Sequence, residues 1–189
     1  MRKVKLQVQI SLDGFVAGPN SELDWLTFQW TDDINKYVAE ITEPVDTIVL
    51  GRKLAEGFIP HWAGVAADPA GPEFSAGQKF TETKKIVFSR TLDQSEAAAK
   101  DWKNTIIVKE DLVDFISRLK KESGKDIIAY GGANFVSGLI TENLIDEYHL
   151  LVNPAAISNG LPIFKDRKNL KFVKAQAFDC GIVAMVYVK

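Results

Sequence analysis

A pair of adjacent glycines, Gly131 and Gly132, most constrains how this chain can fold. The stretch Asp126 to Ala129 before it predicts a short buried strand, and apolar residues recur at helical spacing from Phe135 to Ile140 after it. A strand, a tight turn and a helix in this order bring free backbone N–H groups and the positive end of a helix dipole to one point. An anionic group such as a pyrophosphate suits that point, although a simple tight turn explains the glycines equally well.

Strand and helix patterns along the rest of the chain predict the fold class. Residues Lys3 to Ile10 alternate, which predicts a first strand with its apolar side chains on one packed face and its polar ones, such as Gln7, on the other. Strand-like and helix-like stretches then alternate, whereas the chain ends in two strands joined by Asp179-Cys180-Gly181. We expect an α/β fold with a mostly parallel central sheet and an antiparallel C-terminal hairpin. The segment Pro60 to Gly77, rich in Pro, Gly and Ala, is predicted to be a long surface loop.

Composition narrows the class of protein. The 189 residues suit a single domain, which we assign to the whole chain, and the net charge of −2 gives no electrostatic argument for nucleic acid or an anionic membrane. No apolar run approaches the ~18–20 residues that cross a bilayer, and we expect no signal peptide. Cys180 is the only cysteine, which fits the reducing cytoplasm. His61 and His149 lie far apart in the sequence, so no metal site is expected.

Three predicted strand ends carry similar chemistry. A glycine and two cations follow one strand at Gly51-Arg52-Lys53, a hydroxyl and a guanidinium follow another at Ser89-Arg90, and the glycine pair follows the third. Ligands of open α/β sheets bind outside the carboxyl ends of the strands, and Arg binds phosphate bidentately. Each cation alone is most simply a solvated surface residue, but their shared context favours a ligand with several phosphates. Neither the G-x-G-x-x-G fingerprint nor the P-loop motif is present.

Several further motifs occur in a fixed order across nearly the whole chain. They are Ile10-Ser11-Leu12-Asp13-Gly14-Phe15-Val16-Ala17, Leu50-Gly51-Arg52-Lys53, Val87-Phe88-Ser89-Arg90-Thr91-Leu92, Gly131-Gly132-Ala133, Ile145-Asp146-Glu147-Tyr148-His149-Leu150, Asn153-Pro154 and Gly160-Leu161-Pro162-Ile163-Phe164. With this ordered set the chain resembles the dihydrofolate-reductase-like superfamily, in particular the reductase domain of bacterial riboflavin biosynthesis. The resemblance implies a three-layer α/β/α fold and NADPH as the hydride donor.

The resemblance also implies roles for individual residues. Gly51, Arg52 and Lys53 would hold phosphates at one helix start. Ser89 and Arg90 would contact the adenosine 2′-phosphate. Val16 and Ala17 would line the nicotinamide pocket through backbone groups. The pyrophosphate would be cradled by the residues of the glycine turn and the helix start, namely Gly131, Gly132, Ala133, Asn134 and Phe135.

The substrate side is less sharply defined by the sequence. Asp24 follows the first loop, roughly where dihydrofolate reductases carry a substrate-binding carboxylate, and it is equally well explained as a residue at a helix start. We take it as the candidate catalytic acid. Four aromatic residues are candidates for a wall against a flat heterocycle, although ordinary core or lid packing explains any one of them better. They are Trp25, Phe28, Phe58 and Trp62.

These observations favour an NADPH-dependent reductase acting on a small pterin-, pyrimidine- or riboflavin-precursor-like heterocycle. The short loop before Asp24 and the Gly160 to Phe164 motif argue against dihydrofolate itself. We expect no deaminase domain of the kind that often precedes the riboflavin reductase domain, which argues against a riboflavin role. Two alternatives stay open: a non-catalytic nucleotide-binding or ligand-sensing protein, and a flavin-using enzyme on the same fold. The resemblance implies a homodimer, for which an edge strand of the C-terminal hairpin is a plausible contact.

Overall fold

The computed structural model describes the chain from Met1 to Lys189 as ten strands and six helices. The strands are β1 (Val4–Ile10), β2 (Phe15–Ala17), β3 (Val45–Gly51), β4 (Lys84–Phe88), β5 (Thr105–Val108), β6 (Asp126–Tyr130), β7 (Glu147–Val152), β8 (Leu161–Pro162), β9 (Lys171–Ala177) and β10 (Val183–Val188). The helices are α1 (Asp32–Thr42), α2 (Arg52–Val65), α3 (Phe74–Glu82), α4 (Gln94–Ala99), α5 (Leu112–Leu119) and α6 (Ala133–Thr141). None of the helices combines the length and the apolar character needed to cross a membrane.

Eight strands form one sheet in the order β5-β4-β3-β6-β1-β7-β10-β9. The strands from β5 to β7 are parallel to their neighbours, whereas β10 is antiparallel to both β7 and β9. The turn between β9 and β10 contains Gly181 with a φ of 87°, a left-handed conformation that favours glycine. The predicted α/β fold, with a mostly parallel sheet and a C-terminal hairpin, is confirmed.

Helices cover both faces of the sheet, which gives three layers. On one face α5 and α6 bury residues such as Ile116 and Leu139 against β1, β6 and β7. On the other face α2 packs Ile59 against β3 and β4, and α1 packs Ile34 against β7 and β10. Burial of each such side chain stabilises the fold by about 1.5–3 kcal/mol. The parallel sheet is thus shielded from water on both sides, as its connections require.

The prediction that β1 has only one packed face was wrong. Lys5 and Gln7 are only 7% and 9% exposed, although they lie on the polar side of the strand. The Lys5 ammonium pairs with Asp126 at 3.0 Å, and the Gln7 side chain accepts a hydrogen bond from the Tyr130 hydroxyl at 3.1 Å. Because β1 lies inside a parallel sheet, its second face is also buried, and its polar side chains are stabilised there by specific partners.

The prediction of a long surface loop from Pro60 to Gly77 was also wrong. Helix α2 continues through Pro60 to Val65, and α3 begins at Phe74, so only residues 66–73 lie between the two helices. Pro60 costs α2 one backbone hydrogen bond. The helix persists because it packs on α3, where the rings of Trp62 and Phe80 stack with centroids 4.4 Å apart.

Ion pairs close the edge of the sheet at which the parallel strands begin, which we call the amino edge. Each pair joins segments distant in the sequence, and three of the cations are nearly buried. The pairs are Arg2–Asp46, Lys5–Asp126, Lys120–Asp146, Lys189–Asp146 and Lys3–Glu147. Charged groups at the starts of β1, β3, β6 and β7 therefore neutralise one another, whereas Lys84 at the start of β4 forms no salt bridge.

Candidate functional site

The carboxyl ends of β4, β3 and β6 lie side by side at the opposite edge of the sheet, which we call the carboxyl edge. Gly51 at the end of β3 is in register with Phe88 of β4, and the preceding residue Leu50 is in register with Tyr130 of β6. The residues that follow these strands, Ser89 and Gly131, are therefore close neighbours of Gly51. The three turns singled out in the sequence meet at one edge of the sheet.

Phe135 on the first turn of α6 packs the two glycine turns together. A methyl group on Gly131 would lie 2.7 Å from a ring carbon of Phe135, and a methyl group on Gly51 would lie 2.9 Å from its Cβ. The Phe135 ring also packs on Phe88, with the ring centroids 5.6 Å apart. Glycine at both positions is thus explained by close approach. The Phe135 side chain is engaged in packing, so only its backbone N–H is available to a ligand.

Gly132, the N-cap residue of α6, borders open space. A methyl group added to it would meet no atom within 4 Å. Because glycine has no side chain, no side-chain hydrogen bond caps the first turn. The first N–H groups of a helix have no partner within the helix, so those of Gly132, Ala133 and Asn134 are available to an acceptor. An anion at this point is also favoured by the dipole of α6.

Helix α2 starts at the same edge and has the same kind of cap. Gly51 is its N-cap and provides no side-chain acceptor for the first turn. The Arg52 guanidinium lies 2.9 Å from the Glu56 carboxylate, with both side chains about two-fifths exposed. Such exposed pairs contribute only about 0–1 kcal/mol, so the pair does not prevent Arg52 from binding an anion. Lys53 is exposed and forms no salt bridge within 4.0 Å.

Ser89 shapes the turn after β4. Its hydroxyl oxygen accepts hydrogen bonds from the backbone N–H groups of Leu92 at 2.9 Å and of Thr91 at 3.3 Å. The Ser89 side chain is 8% exposed, and its hydroxyl proton remains available as a donor. The next residue, Arg90, is exposed and has no salt-bridge partner. The turn thus holds a guanidinium at the carboxyl edge without neutralising it.

Lys109 is a fourth cation at this edge and was missed in the sequence. It is exposed and is the first residue after β5, just as Arg90 is the second residue after β4. The nearby acids have other partners. Asp93 and Asp111 cap α4 and α5, and Glu110 pairs with Arg118 at 2.9 Å. The carboxyl edge therefore keeps cations without salt-bridge partners, in contrast to the paired charges at the starts of β1, β3, β6 and β7. The sequence signal that could have identified this cation was its position directly after a predicted strand, at Val108-Lys109.

Val16 and Ala17 lie in β2, which forms a small antiparallel pair with β8. Both are buried, and a methyl group on Gly160 would come within 2.4 Å of the Ala17 carbonyl oxygen. The Gly160 to Phe164 motif is explained by this pairing. Asp13 joins the same two segments, because its carboxylate accepts hydrogen bonds from the backbone N–H groups of residues 157 and 158. A hydrogen bond from the Ser11 hydroxyl lowers the pKa of Asp13, and these backbone hydrogen bonds lower it further.

The segment with the candidate acid runs along the end of β7. Asp24 is exposed and forms no hydrogen bond, whereas Trp25 is half-buried. The indole N–H of Trp25 is buried without a partner. Phe28 is 71% exposed. The Thr27 N–H donates to the Asn153 side chain at 2.9 Å, which joins the segment to the sheet.

Phe58 and Trp62 belong to a different aromatic cluster from Trp25 and Phe28. They pack with Phe80 and Tyr130 between α2, α3 and the sheet, with centroids 4.4–6.0 Å apart. Trp62 lies ten residues after Arg52, about 15 Å further along the axis of α2. The structure therefore does not bring Trp62 to the carboxyl edge. Together with Phe58 it lines a cavity of about 350 Å³ that also contains Lys85 and Lys103, near the starts of β4 and β5.

His149 is part of a buried hydrogen-bonded chain. Its ring nitrogens lie 2.6 Å from the Tyr37 hydroxyl and 2.6 Å from the Glu147 carboxylate. Burial, with a smaller contribution from Glu147, raises the pKa of Tyr37 to about 12. The chain joins α1 to β7 and leaves none of its atoms at the carboxyl edge, which gives His149 a structural role.

Comparisons with known proteins agree with this geometry. Among solved structures, one from Shewanella sp. PV-4, provisionally named a riboflavin biosynthesis protein, superposes with a TM-score of 0.70 at 23% identity. The superposition covers 100% of this chain and 98% of the Shewanella chain. The Thermotoga maritima diaminohydroxyphosphoribosylaminopyrimidine deaminase/5-amino-6-(5-phosphoribosylamino)uracil reductase gives a TM-score of 0.67 at 15% identity, over 99% of this chain and 56% of that protein. At these identities the likeness shows the fold.

Sequence comparison shows the family. The Bacillus subtilis (strain 168) protein YyaP, itself uncharacterized, is 34% identical in an alignment that covers 98% of this chain and 94% of YyaP. The family model described as RibD C-terminal domain matches residues 2–184. The resemblance inferred from the ordered motifs is therefore confirmed: the chain belongs to the RibD C-terminal domain family, a branch of the dihydrofolate-reductase-like superfamily.

Proposed function

We propose that this protein is an NADPH-dependent reductase that transfers a hydride to a small pterin-, pyrimidine- or riboflavin-precursor-like heterocycle. One observation carries the proposal: two glycine-capped helix starts and the Ser89-Arg90 turn adjoin at the carboxyl edge, where cations are left unpaired. A dinucleotide carries several phosphates along its length, and this arrangement supplies several separate donors for them. The reductase-like fold of the family supports the same reaction class.

The residues present fit such a cofactor. The open space beside Gly132 lets a phosphate approach the backbone N–H groups of α6, where any side chain would intrude. Arg52 and Lys53 at the start of α2 supply charge for the same diphosphate, and Arg90 suits a 2′-phosphate. The backbone of Val16 and Ala17, held by β8, would border the nicotinamide. When bound, the cofactor supplies the hydride.

On the substrate side, the protein's task is to hold the heterocycle and to exclude water. The Trp25 indole N–H suits an acceptor atom of such a ring, because burial without a partner is unfavourable for this group. Asp24 is our candidate for delivering a proton to the reduced double bond. The uracil reductase named in the Thermotoga protein supports a heterocyclic substrate for this chain. Phe58 and Trp62 remain candidates for contacts with a large substituent that extends along α2.

Titration of NADPH, NADH and FMN, followed by cofactor fluorescence and thermal shift, tests this proposal. We expect NADPH to bind best. Arg90→Ala should weaken NADPH about ten-fold or more and leave NADH nearly unchanged, because only NADPH carries the 2′-phosphate. Lys84→Ala is the matched control, since Lys84 is an exposed cation on the same strand at the amino edge. Equal loss of NADPH and NADH in Arg90→Ala would contradict the assignment.

Turnover assays separate the proposal from its alternatives. Pterin, uracil and quinone probes are offered with NADPH, and the decrease of NADPH absorbance is followed. Reduction of a probe, with a lower kcat in Asp24→Asn, supports a reductase with Asp24 as the acid. Tight NADPH binding without oxidation in the presence of any probe would favour a ligand sensor. A yellow protein that binds FMN more tightly than NADPH would favour a flavin enzyme.

We also propose that the protein forms a homodimer through β9. This strand is at the edge of the sheet, and all seven of its residues are exposed, including Phe172 at 58% and Val173 at 51%. An edge of this length with exposed apolar side chains is a ready surface for another chain. A second copy related by two-fold symmetry is the simplest occupant.

A further inference from the structure

Asn153, directly after β7, is a completely buried amide whose hydrogen-bonding groups are all used. Its side-chain oxygen accepts the Thr27 N–H at 2.9 Å. Its side-chain nitrogen lies 3.2 Å from the Leu151 carbonyl oxygen, 3.3 Å from the Gln9 side-chain oxygen and 3.5 Å from the Ile10 carbonyl oxygen. The amide thus spans from the ends of β1 and β7 to the segment that carries Asp24 and Trp25.

The bond to Asn153 is the only hydrogen bond between the segment 19–30 and any residue outside 18–31. The other bonds of this stretch are internal, such as the Gly18 N–H to the Glu22 carbonyl and the Trp30 indole to the Thr27 carbonyl. The segment forms neither a helix nor a strand. Its position over the sheet therefore depends on the packing of half-buried side chains and on this one amide.

Two potential hydrogen-bond donors lie beside this amide, on the side of the carboxyl edge where we expect the substrate. Trp25, two residues before Thr27, contributes the buried indole N–H without a partner. Gln9, near the carboxyl end of β1, uses its side-chain oxygen for Asn153, which fixes the amide and leaves its NH₂ group as a donor. Trp25 lies two residues from one partner of Asn153 and Gln9 is itself a partner, so the Asn153 amide affects the position of both donors.

We propose that Asn153 is a positioning residue for the substrate: its amide holds the 19–30 segment and the Gln9 side chain in the arrangement that receives the heterocycle. The inference rests on the proposed function, because it assigns the substrate to this side of the carboxyl edge. The phosphate-binding turns on β3, β4 and β6 make no hydrogen bond with Asn153. Loss of the amide should therefore affect the substrate and leave the cofactor unaffected.

The role requires an amide and excludes close isosteres. A carboxylate at residue 153 accepts the Thr27 N–H but has no N–H groups to donate to the Leu151 carbonyl oxygen and the Gln9 side-chain oxygen. An alanine removes both functions. Thr27→Pro deletes the same hydrogen bond from the other side, because proline has no N–H, whereas Thr27→Ala retains the backbone donor and serves as its control. Two independent variants thus remove the same hydrogen bond, so the test can still be done if one of them does not fold.

Hydrogen exchange of the protein without ligand is the first measurement. We expect Asn153→Ala and Thr27→Pro to speed exchange of amides in residues 19–30 about ten-fold or more, with β1 and β7 nearly unchanged and Thr27→Ala like the wild type. Unchanged protection of the segment in Asn153→Ala would overturn the proposal. This arm needs neither cofactor nor substrate, so it remains decisive even if the reductase proposal fails.

Binding and kinetics provide the second measurement. The dissociation constant for NADPH should stay within about two-fold of the wild type in Asn153→Ala and Asn153→Asp, whereas KM for whichever pterin, uracil or quinone probe the wild type reduces should rise about ten-fold or more. An equal loss of NADPH affinity would overturn the inference, since it would indicate general damage to the site. Failure of the wild type to bind NADPH would instead refute the proposed function.

Discussion

Phe135 packs on Gly131 so closely that a methyl group on the glycine would lie 2.7 Å from its ring. We therefore predict that Gly131→Ala destabilises the protein by about 1–3 kcal/mol, because the ring or the turn must move to make room. Chemical denaturation of the wild type and the variant measures the difference in the free energy of unfolding.

The double variant Gly131→Ala/Phe135→Ala tests whether this contact causes the loss. Alanine lacks the Cδ1 atom that the new methyl group would contact, so the cost of Gly131→Ala should be smaller in the Phe135→Ala background. Strict additivity of the two substitutions would show that the steric contact does not determine the effect.

Gly132→Ala should have the opposite profile. The Gly132 backbone, with φ −70° and ψ 166°, is accessible to alanine, and the new methyl group meets no atom within 4 Å. We expect the melting temperature to change little and NADPH affinity to fall about ten-fold or more, because the methyl group occupies the space proposed for a phosphate.

Gly57→Ala is the matched control for that experiment. Gly57 also has no atom within 4 Å of an added methyl group, but it lies inside α2 on the exposed side. Replacement should stabilise the helix by about 0.5–1 kcal/mol without altering NADPH affinity. Normal NADPH binding by Gly132→Ala would indicate that the glycine serves only the turn.

Asp146 at the amino edge should contribute to stability in a pH-dependent way. Burial alone raises its pKa, but hydrogen bonds from Lys120, Lys189 and the Val4 N–H outweigh burial and lower the pKa below its ordinary value of 3.8. The unfolded state therefore takes up a proton at higher pH than the folded state does. The stabilisation is present above the ordinary pKa and is lost as the pH falls through the lowered one.

Urea unfolding of Asp146→Asn between pH 7 and pH 3 checks this sign. The variant should be less stable at pH 7, and its disadvantage should shrink toward pH 3, because the wild type loses its carboxylate there. Asp179→Asn is the control, since Asp179 is exposed and its carboxylate makes no hydrogen bond or salt bridge. A constant difference between wild type and Asp146→Asn at all pH values would refute the titration argument.

The proposed dimer contact predicts different behaviour for the two edges of the sheet. Light scattering should show a dimer for the wild type and a monomer for Val173→Lys, because a charge on β9 opposes edge pairing. Ile106→Lys is the control, since Ile106 is 45% exposed on β5, the opposite edge strand. A monomeric wild type, or equal dissociation by both variants, would contradict a contact through β9.

The sequence predicted those features that depend on local patterns. The short apolar runs indicated most of the strands of the main sheet, and the turn residues at Gly51 and Gly131 indicated where two helices begin. The positions of these turns at one edge followed from the parallel topology. Strands β2 and β8 were missed because they have three and two residues, which is too short for an alternating pattern.

Features that depend on contacts between distant residues could not be predicted in this way. Gln7 has a partner on β6 that is 123 residues away, so its burial on a polar strand face has no local signature. The continuation of α2 through Pro60 depends on packing against α3, which overrides the local penalty. The bond from Thr27 to Asn153 spans 126 residues and is visible only in the folded chain.

The closure of the amino edge by ion pairs has a consequence for how this protein can diverge. Residues such as Lys120 and Asp146 hold the strand starts together, whereas those around Arg90 and Lys109 contribute little to that task. Substitutions near the latter pair can therefore alter ligand preference at small cost to folding. Proteins of this fold can therefore keep the same ion pairs at the strand starts while their substrates differ. New specificities can arise at the carboxyl edge before compensating changes elsewhere are needed.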